Sequence, residues 1–320
     1  MTEPAKIYVA GHTGLVGSAL VRRLRAEGFR NLVTRELAEL DLTAQAATRR
    51  FFGEERPEYV FLAAARVGGI LANSRYPADF IRDNLLIQTN VIDAAWRSGV
   101  KKLLFLGSAC IYPRLAPQPM REDCLLAGPL EPTNEAYAVA KIAGLKMAQA
   151  YRRQYGFNAI CLMPTNLYGP GDNFDLQDSH VLPALLRKFH DAKQAGRREV
   201  TLWGSGQARR EFLYVDDLAS AALFLMRRYD SGEIINVGTG QDLTIRELAE
   251  LIREVAGYGG EIRFDPSKPD GAPRKLLDVS RLRGLGWEPQ VGLAEGLRRT
   301  FQWYLEHAGK PEERAAYSRP

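Results

Sequence analysis

Residues 6–17 read KIYVAGHTGLVG, a short apolar run that leads directly into three evenly spaced glycines. The run Ile7–Ala10 has the length and composition of a buried β-strand. The glycines that follow it, Gly11, Gly14 and Gly17, would allow the backbone to approach a pyrophosphate at the N-terminus of a helix. Glycines are common in loops of any kind. In this strand–turn–helix context, however, they predict a dinucleotide-binding α/β fold.

The chain continues with short apolar runs that alternate with helical patterns, as is typical of a doubly wound parallel sheet. We predict further strands at residues 32–34, 40–42, 59–63, 102–106, 159–163 and 233–237. We predict helices over residues 18–27, 79–98 and 135–155. The predicted fold class is therefore α/β, a Rossmann fold with a doubly wound parallel sheet.

A change in composition suggests a second, smaller domain. After residue 171, glycine and proline become frequent, for example in WGSG at 203–206 and PSKPDGAP at 266–273. We expect residues 1–170 to form the dinucleotide-binding domain and residues 171–320 to form a C-terminal α/β substrate domain, with residues 212–240 returning to the first. The second domain would then cover the carboxyl ends of the strands, where open α/β sheets bind ligands.

Composition argues against several classes of protein. The chain has 46% hydrophobic and 25% charged residues and no run of 18 apolar residues, so we expect no transmembrane helix. The net charge of +5 is scattered, as on an ordinary solvated surface, and no nucleic-acid-binding module is recognisable. The alternative is that this charge attracts a polyanionic small molecule such as a dinucleotide or a nucleotide sugar. Three cysteines do not suggest a disulfide framework, and we expect neither a signal peptide nor a metal site. These features together favour a cytoplasmic location.

Tyr137 and Lys141 stand four residues apart and would therefore share one face of the helix predicted over residues 135–155. An ammonium group beside a phenol favours the phenolate, so we expect Lys141 to lower the pKa of Tyr137. Ser108 follows the strand predicted at residues 102–106, where its hydroxyl could hydrogen-bond a substrate carbonyl. A serine in this place is commonly only a cap, but the Ser-Tyr-Lys combination is far more specific and indicates proton transfer to a sugar or alcohol oxygen.

Two further side chains have suitable acid–base chemistry. Cys110 lies two residues after Ser108, and as a thiolate it could remove a proton from carbon. A free cysteine is often no more than a small buried apolar residue. His180 follows a polar loop and could supply the complementary acid if it faces the cleft, although a loop histidine is usually without function.

The segment after the second predicted strand bears on the choice between NAD and NADP. A carboxylate there would bind a ribose 2′-hydroxyl, whereas an arginine suits a 2′-phosphate. Arg35 follows this strand and favours NADP, although Glu36 is its neighbour and an exposed loop arginine remains the alternative.

Several longer segments resemble the GDP-L-fucose synthases, a family of extended short-chain dehydrogenase/reductases, and the resemblance covers nearly the whole chain. It is carried by residues 10–18 (AGHTGLVGS), 63–70 (AAARVGGI), 105–113 (FLGSACIYP), 130–135 (LEPTNE), 163–170 (MPTNLYGP), 179–181 (SHV), 210–212 (REF) and 267–278. The combination of Ser108 and Cys110 with Ser179 and His180 distinguishes this family from other nucleotide-sugar enzymes.

The resemblance implies two reactions in one site, the 3,5-epimerisation of GDP-4-keto-6-deoxy-D-mannose and then its NADPH-dependent reduction at C4. Cys110 would remove the protons at C5 and C3, and His180 would return protons to the opposite faces. Tyr137 would protonate the new hydroxyl, supported by Ser108 and Lys141. The family also implies a homodimer that pairs helices near residues 79–98 and 135–155.

The resemblance also implies binding residues. Those for NADP(H) are Gly11, His12, Thr13, Gly14, Leu15, Val16, Gly17, Arg35, Asp41, Leu42, Leu106, Gly107, Ser108, Lys141, Pro164, Thr165, Asn166, Leu167 and His180. Those for the substrate are Lys188, Trp203, Arg210 and Asp270. Some members of the family carry arginine at the position of Thr13, and arginine is frequent at the position of Lys188.

Two alternatives remain on the sequence. Another NAD(P)-dependent nucleotide-sugar 4-epimerase or reductase would share the fold but would have no use for Cys110 and His180. A non-catalytic NADP-sensing regulator would typically lack Tyr137 or Lys141, and both are present. A dehydratase would need an Asp-Glu pair after the serine, where this chain has Ala109 and Cys110.

Overall fold

Twelve strands and ten helices make up the computed structural model within the residues it describes, 1–176, 178–268 and 271–307. The strands are β1 Ile7–Ala10, β2 Leu32–Val33, β3 Tyr59–Leu62, β4 Lys102–Leu106, β5 Ala159–Pro164, β6 Asn166–Tyr168, β7 Glu199–Trp203, β8 Arg209–Tyr214, β9 Ile235–Val237, β10 Asp242–Thr244, β11 Glu261–Asp265 and β12 Arg274–Lys275. The helices are α1 Leu15–Ala26, α2 Gln45–Glu55, α3 Ile70–Arg75, α4 Pro77–Arg97, α5 Glu135–Tyr155, α6 Val181–Gln194, α7 Val215–Arg228, α8 Ile245–Ala256, α9 Ser280–Gly284 and α10 Leu293–His307.

A parallel sheet with the strand order β2-β1-β3-β4-β5-β9 forms the central layer. Successive side chains of a strand point to opposite faces of the sheet, so a strand covered on both faces is apolar throughout. On β1, Tyr8 packs with apolar side chains of α2, α4 and α5, whereas Ile7 packs with those of α1 and α7. The doubly wound Rossmann fold predicted from the sequence is confirmed.

A second set of elements lies beside the sheet and has its own core. β8 pairs with β6, β10 and β12, while β7 pairs with β11. Aromatic and aliphatic side chains of α6, α8 and α10 pack against these strands, with Leu186, Phe189 and Leu248 fully buried. Between β8 and β10 the chain returns to the central sheet and its helices, which form the first layer. There α7 packs along α1, and β9 completes the central sheet.

The interpretation of residues 40–42 as a strand is wrong. These residues, which the structure describes in full, form irregular backbone and a turn. Leu40 and Leu42 are buried, and the amide of Asn90 on α4 donates a hydrogen bond to the carbonyl of Leu42 at 2.9 Å. The apolar residues predicted burial correctly. The hydrogen bond that a neighbouring strand would have made to the Leu42 carbonyl is made instead by the side-chain amide of Asn90.

Two features are absent from the described residues. In the ranges given above, no helix is long and apolar enough to cross a membrane. The same part of the chain contains no group of three or more histidine, cysteine or acidic side chains placed to hold a metal ion.

Candidate active site

The carboxyl end of β4 positions the first residues of the candidate site. Gly107 and Ser108 follow the strand directly, and a 3₁₀ turn, Ala109–Ile111, begins after them. The Ser108 hydroxyl accepts a hydrogen bond from the backbone N–H of Cys110 at 3.2 Å. The serine therefore caps this turn and holds Cys110 beside the end of the sheet.

Lys141 lies one turn after Tyr137 on α5, as their spacing predicts. Its side chain is 4% exposed, and Nζ donates a hydrogen bond to the carbonyl of Leu106 at 2.8 Å. Nζ also lies 5.8 Å from the centre of the Tyr137 ring. Burial disfavours the charged form and lowers the pKa of Lys141 to about 8.

The phenol of Tyr137 corrects one expectation. Burial raises the pKa of Tyr137 above its ordinary value, the charge of a Cys110 thiolate raises it further, and a hydrogen bond with Ser108 acts in the opposite direction. The expectation that Lys141 lowers this pKa is therefore wrong here, because desolvation is the largest effect. At pH 7 the phenol is neutral, which suits a group that gives a proton to an oxygen.

Cys110 is in contact with the segment that leads into α5. Its Sγ accepts a hydrogen bond from the amide nitrogen of Asn134 at 3.2 Å. Asn134 ends the 3₁₀ turn Pro132–Asn134 and precedes the first residue of α5. Ser108, Cys110 and Tyr137 are thus brought together by the end of β4 and the beginning of α5.

His180 immediately precedes α6 and is exposed. Its loop is fixed to the segment before α3, because the N–H of Gly69 donates to the carbonyl of Asp178 at 2.8 Å. A Cβ on the neighbouring Gly68 would lie 3.1 Å from the ring of Phe80, which meets the Tyr137 ring edge-on at 6.4 Å between centres. Phe80 therefore lies beside both the Tyr137 ring and the segment that is bonded to the loop of His180.

The pKa of His180 is lowered by desolvation, because protein surrounds the imidazole on many sides. The side chain is nevertheless exposed by surface area, and its access to water limits this effect. The lowered pKa makes the imidazole mainly neutral at pH 7 and its protonated form a ready proton donor.

The glycine turn has the geometry that a bound dinucleotide requires. Gly11 has a φ of +79°, and a Cβ there would lie 2.7 Å from the backbone of Ala64. A Cβ on Gly17 would lie 2.0 Å from the carbonyl oxygen of Gly11, so the start of α1 packs directly on the turn. In the described part of the chain, the buried Nδ1 of His12 has no hydrogen-bond partner. Close backbone packing, the N-terminus of a helix and an unpartnered polar atom together fit the pyrophosphate of a dinucleotide.

Arg35 lies just after β2, at the end of the sheet where the glycine turn also lies. Its guanidinium donates to the carbonyl of Thr34 at 2.8 Å, pairs with Glu55 at 2.5 Å and lies 5.6 Å from the centre of the Phe51 ring. Contacts with α2 therefore define the position of Arg35. The sequence analysis does not predict this helix. Of the remaining residues in this region, Asp41 accepts hydrogen bonds from Thr43, and Leu42 is buried.

The other predicted cofactor residues lie at the ends of β4 and β5. Gly107 packs against Met163, where a Cβ would come within 2.5 Å of the thioether sulfur. Pro164 ends β5, and Thr165 leads into β6, which contains Asn166 and Leu167. The side chains of Thr165 and Asn166 both donate to the carbonyl of Glu211, so they also connect this end of the sheet to β8.

The predicted substrate residues lie on elements of the second layer. Lys188 is on α6, and its Nζ lies 5.9 Å from the centre of the Trp203 indole, which ends β7 and is 51% exposed. Arg210 is on β8, and a Cβ on Gly271 would lie 3.3 Å from its guanidinium and 3.8 Å from Ile70. Gly271 therefore lies beside both Arg210 and the first residue of α3. Asp270 lies outside the described residues.

Sequence reasoning missed two side chains of this region. Lys268 lies 6.0 Å from the Trp203 ring, so the indole has a second ammonium near it. Asn134 contacts the thiol of Cys110. Lys268 and Asn134 both lie in segments that carry the family resemblance. A matching motif identifies such a segment, but it does not show which side chains of other segments contact it.

Comparisons with known proteins agree with this arrangement. A profile of the NAD dependent epimerase/dehydratase family matches residues 7–238. GDP-L-fucose synthase 1 of Arabidopsis thaliana is 62% identical over 305 residues, which cover 95% of this chain and 94% of that protein. GDP-L-fucose synthase of Escherichia coli (strain K12) is 54% identical over 311 residues, which cover 94% and 97% of the two chains.

Similarity extends to a solved structure. A GDP-L-fucose synthetase from Naegleria fowleri bound to NADP matches with a TM-score of 0.89 at 31% identity, and the match covers 96% of each chain. This chain therefore belongs to the NAD dependent epimerase/dehydratase family and, within it, to the GDP-L-fucose synthases.

Proposed function

We propose that this chain is a GDP-L-fucose synthase that epimerises GDP-4-keto-6-deoxy-D-mannose at C3 and C5 and then reduces C4 to give GDP-L-fucose. The observation that supports this most directly is the contact network of Ser108, Cys110 and Tyr137 at the end of β4. A reductase needs only the hydroxyl groups of such a network. Epimerisation also requires a base that removes a proton from carbon, and the Cys110 thiol in the same network can supply it.

The cofactor is NADP(H), and we propose that the glycine turn, Arg35 and Lys141 hold it. The turn would receive the pyrophosphate at the N-terminus of α1, and the guanidinium beside β2 would receive the 2′-phosphate. Lys141 would reach the ribose of the nicotinamide half from beneath the phenol. The bound cofactor supplies the hydride that reduces C4.

We propose that Cys110 and His180 carry out epimerisation. The C4 ketone makes the protons at C3 and C5 acidic, so a thiolate at Cys110 can take each proton while the electron pair passes into the enolate conjugated with the ketone. Protonated His180 then gives a proton to the opposite face of the same carbon, which inverts the centre. Because His180 is exposed, it regains its proton from water, and the Cys110 thiol passes its proton to water before it acts on the second carbon. No oxidation or reduction occurs in this half of the reaction.

We propose that Tyr137 completes the reduction. Its neutral phenol gives a proton to the oxygen at C4, Ser108 hydrogen-bonds the same oxygen, and the Lys141 ammonium stabilises the phenolate left behind. The second layer, which is built around β6, β7, β8, α6 and α8, would bind the nucleotide part. There Lys188 and Arg210 suit the diphosphate, and Trp203 offers a flat apolar surface.

A homodimer and a cytoplasmic location are further proposals. α4 packs along α5, and Leu86, Val139 and Tyr155 on these helices are exposed apolar side chains that a second copy could cover. Three free cysteines suit a reducing compartment. Sedimentation at micromolar concentration should give twice the chain mass, and Leu86→Glu should shift it towards the monomer.

The decisive experiment supplies NADPH and GDP-4-keto-6-deoxy-D-mannose and follows the loss of NADPH absorbance together with the stereochemistry of the product. A parallel sample in D₂O without NADPH reports deuterium entry at C3 and C5 by NMR. The parent should do both, and Cys110→Ser should lose deuterium entry, while His180→Gln should exchange at least one proton without inverting the carbon. A simple 4-reductase would consume NADPH without deuterium entry, and a regulator would bind NADPH without consuming it.

A further inference from the structure

Asn134 occupies a position where its side chain would ordinarily cap a helix. It is the N-cap residue of α5, and asparagine is among the most favoured residues there because its side-chain oxygen accepts a hydrogen bond from the N–H two or three residues on. In the described structure, the Asn134 side chain makes no such capping bond. Its amide nitrogen is instead 3.2 Å from the Cys110 Sγ, to which it donates.

The surroundings of Asn134 hold it in this orientation. The preceding turn is fixed by the buried carboxylate of Glu131, which accepts hydrogen bonds from the backbone and hydroxyl of Thr133 and pairs with Arg114 at 3.3 Å. The backbone N–H of Asn134 donates to the carbonyl of Glu131 at 3.2 Å. The Oδ1 of Asn134 is buried and has no hydrogen-bond partner in the part of the chain that is described.

We propose that Asn134 is a positioning residue for Cys110, which stabilises and orients the thiolate through its amide N–H. This rests on the proposed role of Cys110 as the base of epimerisation. A hydrogen bond to the charged form of an acid favours that form, and bonds to charged groups are the stronger kind. The Asn134 side chain bonds Cys110 and does not cap α5. It would therefore stabilise the thiolate and not the start of the helix.

Among the described residues, the charged and titratable groups of α5 and of the loop before α6 do not provide the same effect. From α5, the neutral phenol of Tyr137 faces the thiol, and the Lys141 ammonium donates to the Leu106 carbonyl. Glu135 at the start of α5 is exposed, and His180 is on the separate loop before α6. Removing the amide of Asn134 would therefore leave the thiolate without the N–H that the structure places on it.

The test measures the ionisation of the thiol directly. Cys124→Ser gives a background in which Cys110 is the thiol accessible to alkylation, because Cys161 is buried and burial raises its pKa to about 12. The rate of alkylation by iodoacetamide is measured against pH for this background and for its Asn134→Ala, Asn134→Asp and Asn134→Ser variants. Glu135→Gln serves as the control for a change of charge at the same helix end. Thermal unfolding and NADPH binding check that each variant is folded.

Asn134→Ala should slow alkylation of the Cys110 thiol at pH 7 roughly tenfold, and deuterium entry at C3 and C5 should slow in parallel. Asn134→Asp should slow alkylation further because it adds a negative charge, and Asn134→Ser should restore part of the rate because a hydroxyl can donate. Glu135→Gln should have little effect. An unchanged pH profile of alkylation in Asn134→Ala would overturn the proposal even if activity fell. If instead Cys110→Ser exchanges deuterium like the parent, the proposed role of Cys110 fails, while the alkylation data still report on Asn134.

Discussion

At the scale of single residues, the proposed chemistry is divided between a thiol, Cys110, and a phenol, Tyr137. Cys110 and Tyr137 are close enough for the charge of one to raise the pKa of the other, yet they would act on different atoms of the sugar. The thiolate would work on carbon, and the neutral phenol would work on oxygen. The two reactions should therefore be separable by substitution.

Tyr137→Phe should abolish NADPH consumption while leaving deuterium entry at C3 and C5 largely intact. It removes the hydroxyl that gives a proton to oxygen and leaves Cys110 and Asn134 in place. General acid–base groups contribute about 10²–10⁴-fold, so the rate of NADPH oxidation should fall by that order. The measurement pairs absorbance with NMR on the same sample. Near-normal NADPH oxidation would remove Tyr137 from the reaction.

Lys141 should make stability depend on pH in a defined window. Its folded pKa is about 8, against an ordinary value of 10.5, so between these values the unfolded chain binds more protons than the folded chain. Stability from this group should therefore rise with pH from about 8 to 10.5, by up to about 3 kcal/mol for a shift of this size. Below pH 8 the cost of burying the charge is present in full.

Lys141→Met should remove that dependence while destroying the reductase activity. Urea unfolding of parent and variant at pH 7, 8, 9 and 10 gives the difference in unfolding free energy at each pH. The unfolding free energy of the parent minus that of the variant should rise from pH 8 to pH 10 as the parent gains stability. A difference that stays constant across this range would show that burial of Lys141 carries no such cost.

Among the elements, β8 connects the two layers of the molecule through Glu211. This side chain is fully buried, and its carboxylate accepts hydrogen bonds from the N–H groups of Thr239, Gly240 and Leu277 at 2.6, 2.7 and 2.9 Å. Burial raises its pKa, and the N–H donors act against that rise. The turn after β9 and the segment after β12 are thus tied to the strand that carries Arg210.

Glu211→Gln should destabilise the fold by roughly 3 kcal/mol, because an NH₂ group would then face N–H donors and leave them unpaired. Glu247→Gln is the matched control. Its carboxylate is exposed and caps α8 by accepting from Thr244, so the loss should be below about 1 kcal/mol. Denaturant unfolding compares the two. Equal losses would mean that the buried carboxylate has no special role.

In the molecule as a whole, the proposed chemistry lies on one layer and the proposed nucleotide contacts on the other. Lys188 from α6, Trp203 from β7 and Lys268 after β11 converge in the second layer. Tyr137, Lys141 and Cys110 belong to the first. A change in the second layer should therefore alter substrate binding without altering cofactor binding.

Lys268→Met should raise the KM for the nucleotide sugar roughly tenfold, since it removes a charged group from the indole, and it should leave the KM for NADPH unchanged. Lys101→Met is a suitable control, because Lys101 is exposed at the amino end of β4 and pairs only with the surface carboxylate of Glu58 among described residues. Initial rates with each substrate varied in turn give both constants. Equal KM values in parent and Lys268→Met would exclude Lys268 from the site.

Local patterns in the sequence were sufficient for the central sheet and for the proposed reductase residues. The strand–turn–helix at residues 7–26 and the four-residue spacing of Tyr137 and Lys141 depend on neighbours along the chain, so their geometry follows from the regular dimensions of strands and helices. Those same patterns misread residues 40–42, because an apolar run reports burial and does not specify which groups satisfy its backbone.

The contacts of the candidate site and the pKa shifts depend on packing between segments that are distant along the chain. The bond from Asn134 to Cys110 spans 24 residues, and Glu211 holds backbone groups up to 66 residues away. Spacing along the chain carries no information about such pairs, because they exist only once helices and strands have docked. The pKa of Tyr137 shows the same limit. Its sequence neighbour Lys141 predicts a lowered value, but the tyrosine is half-buried and desolvation of the phenol raises its pKa instead.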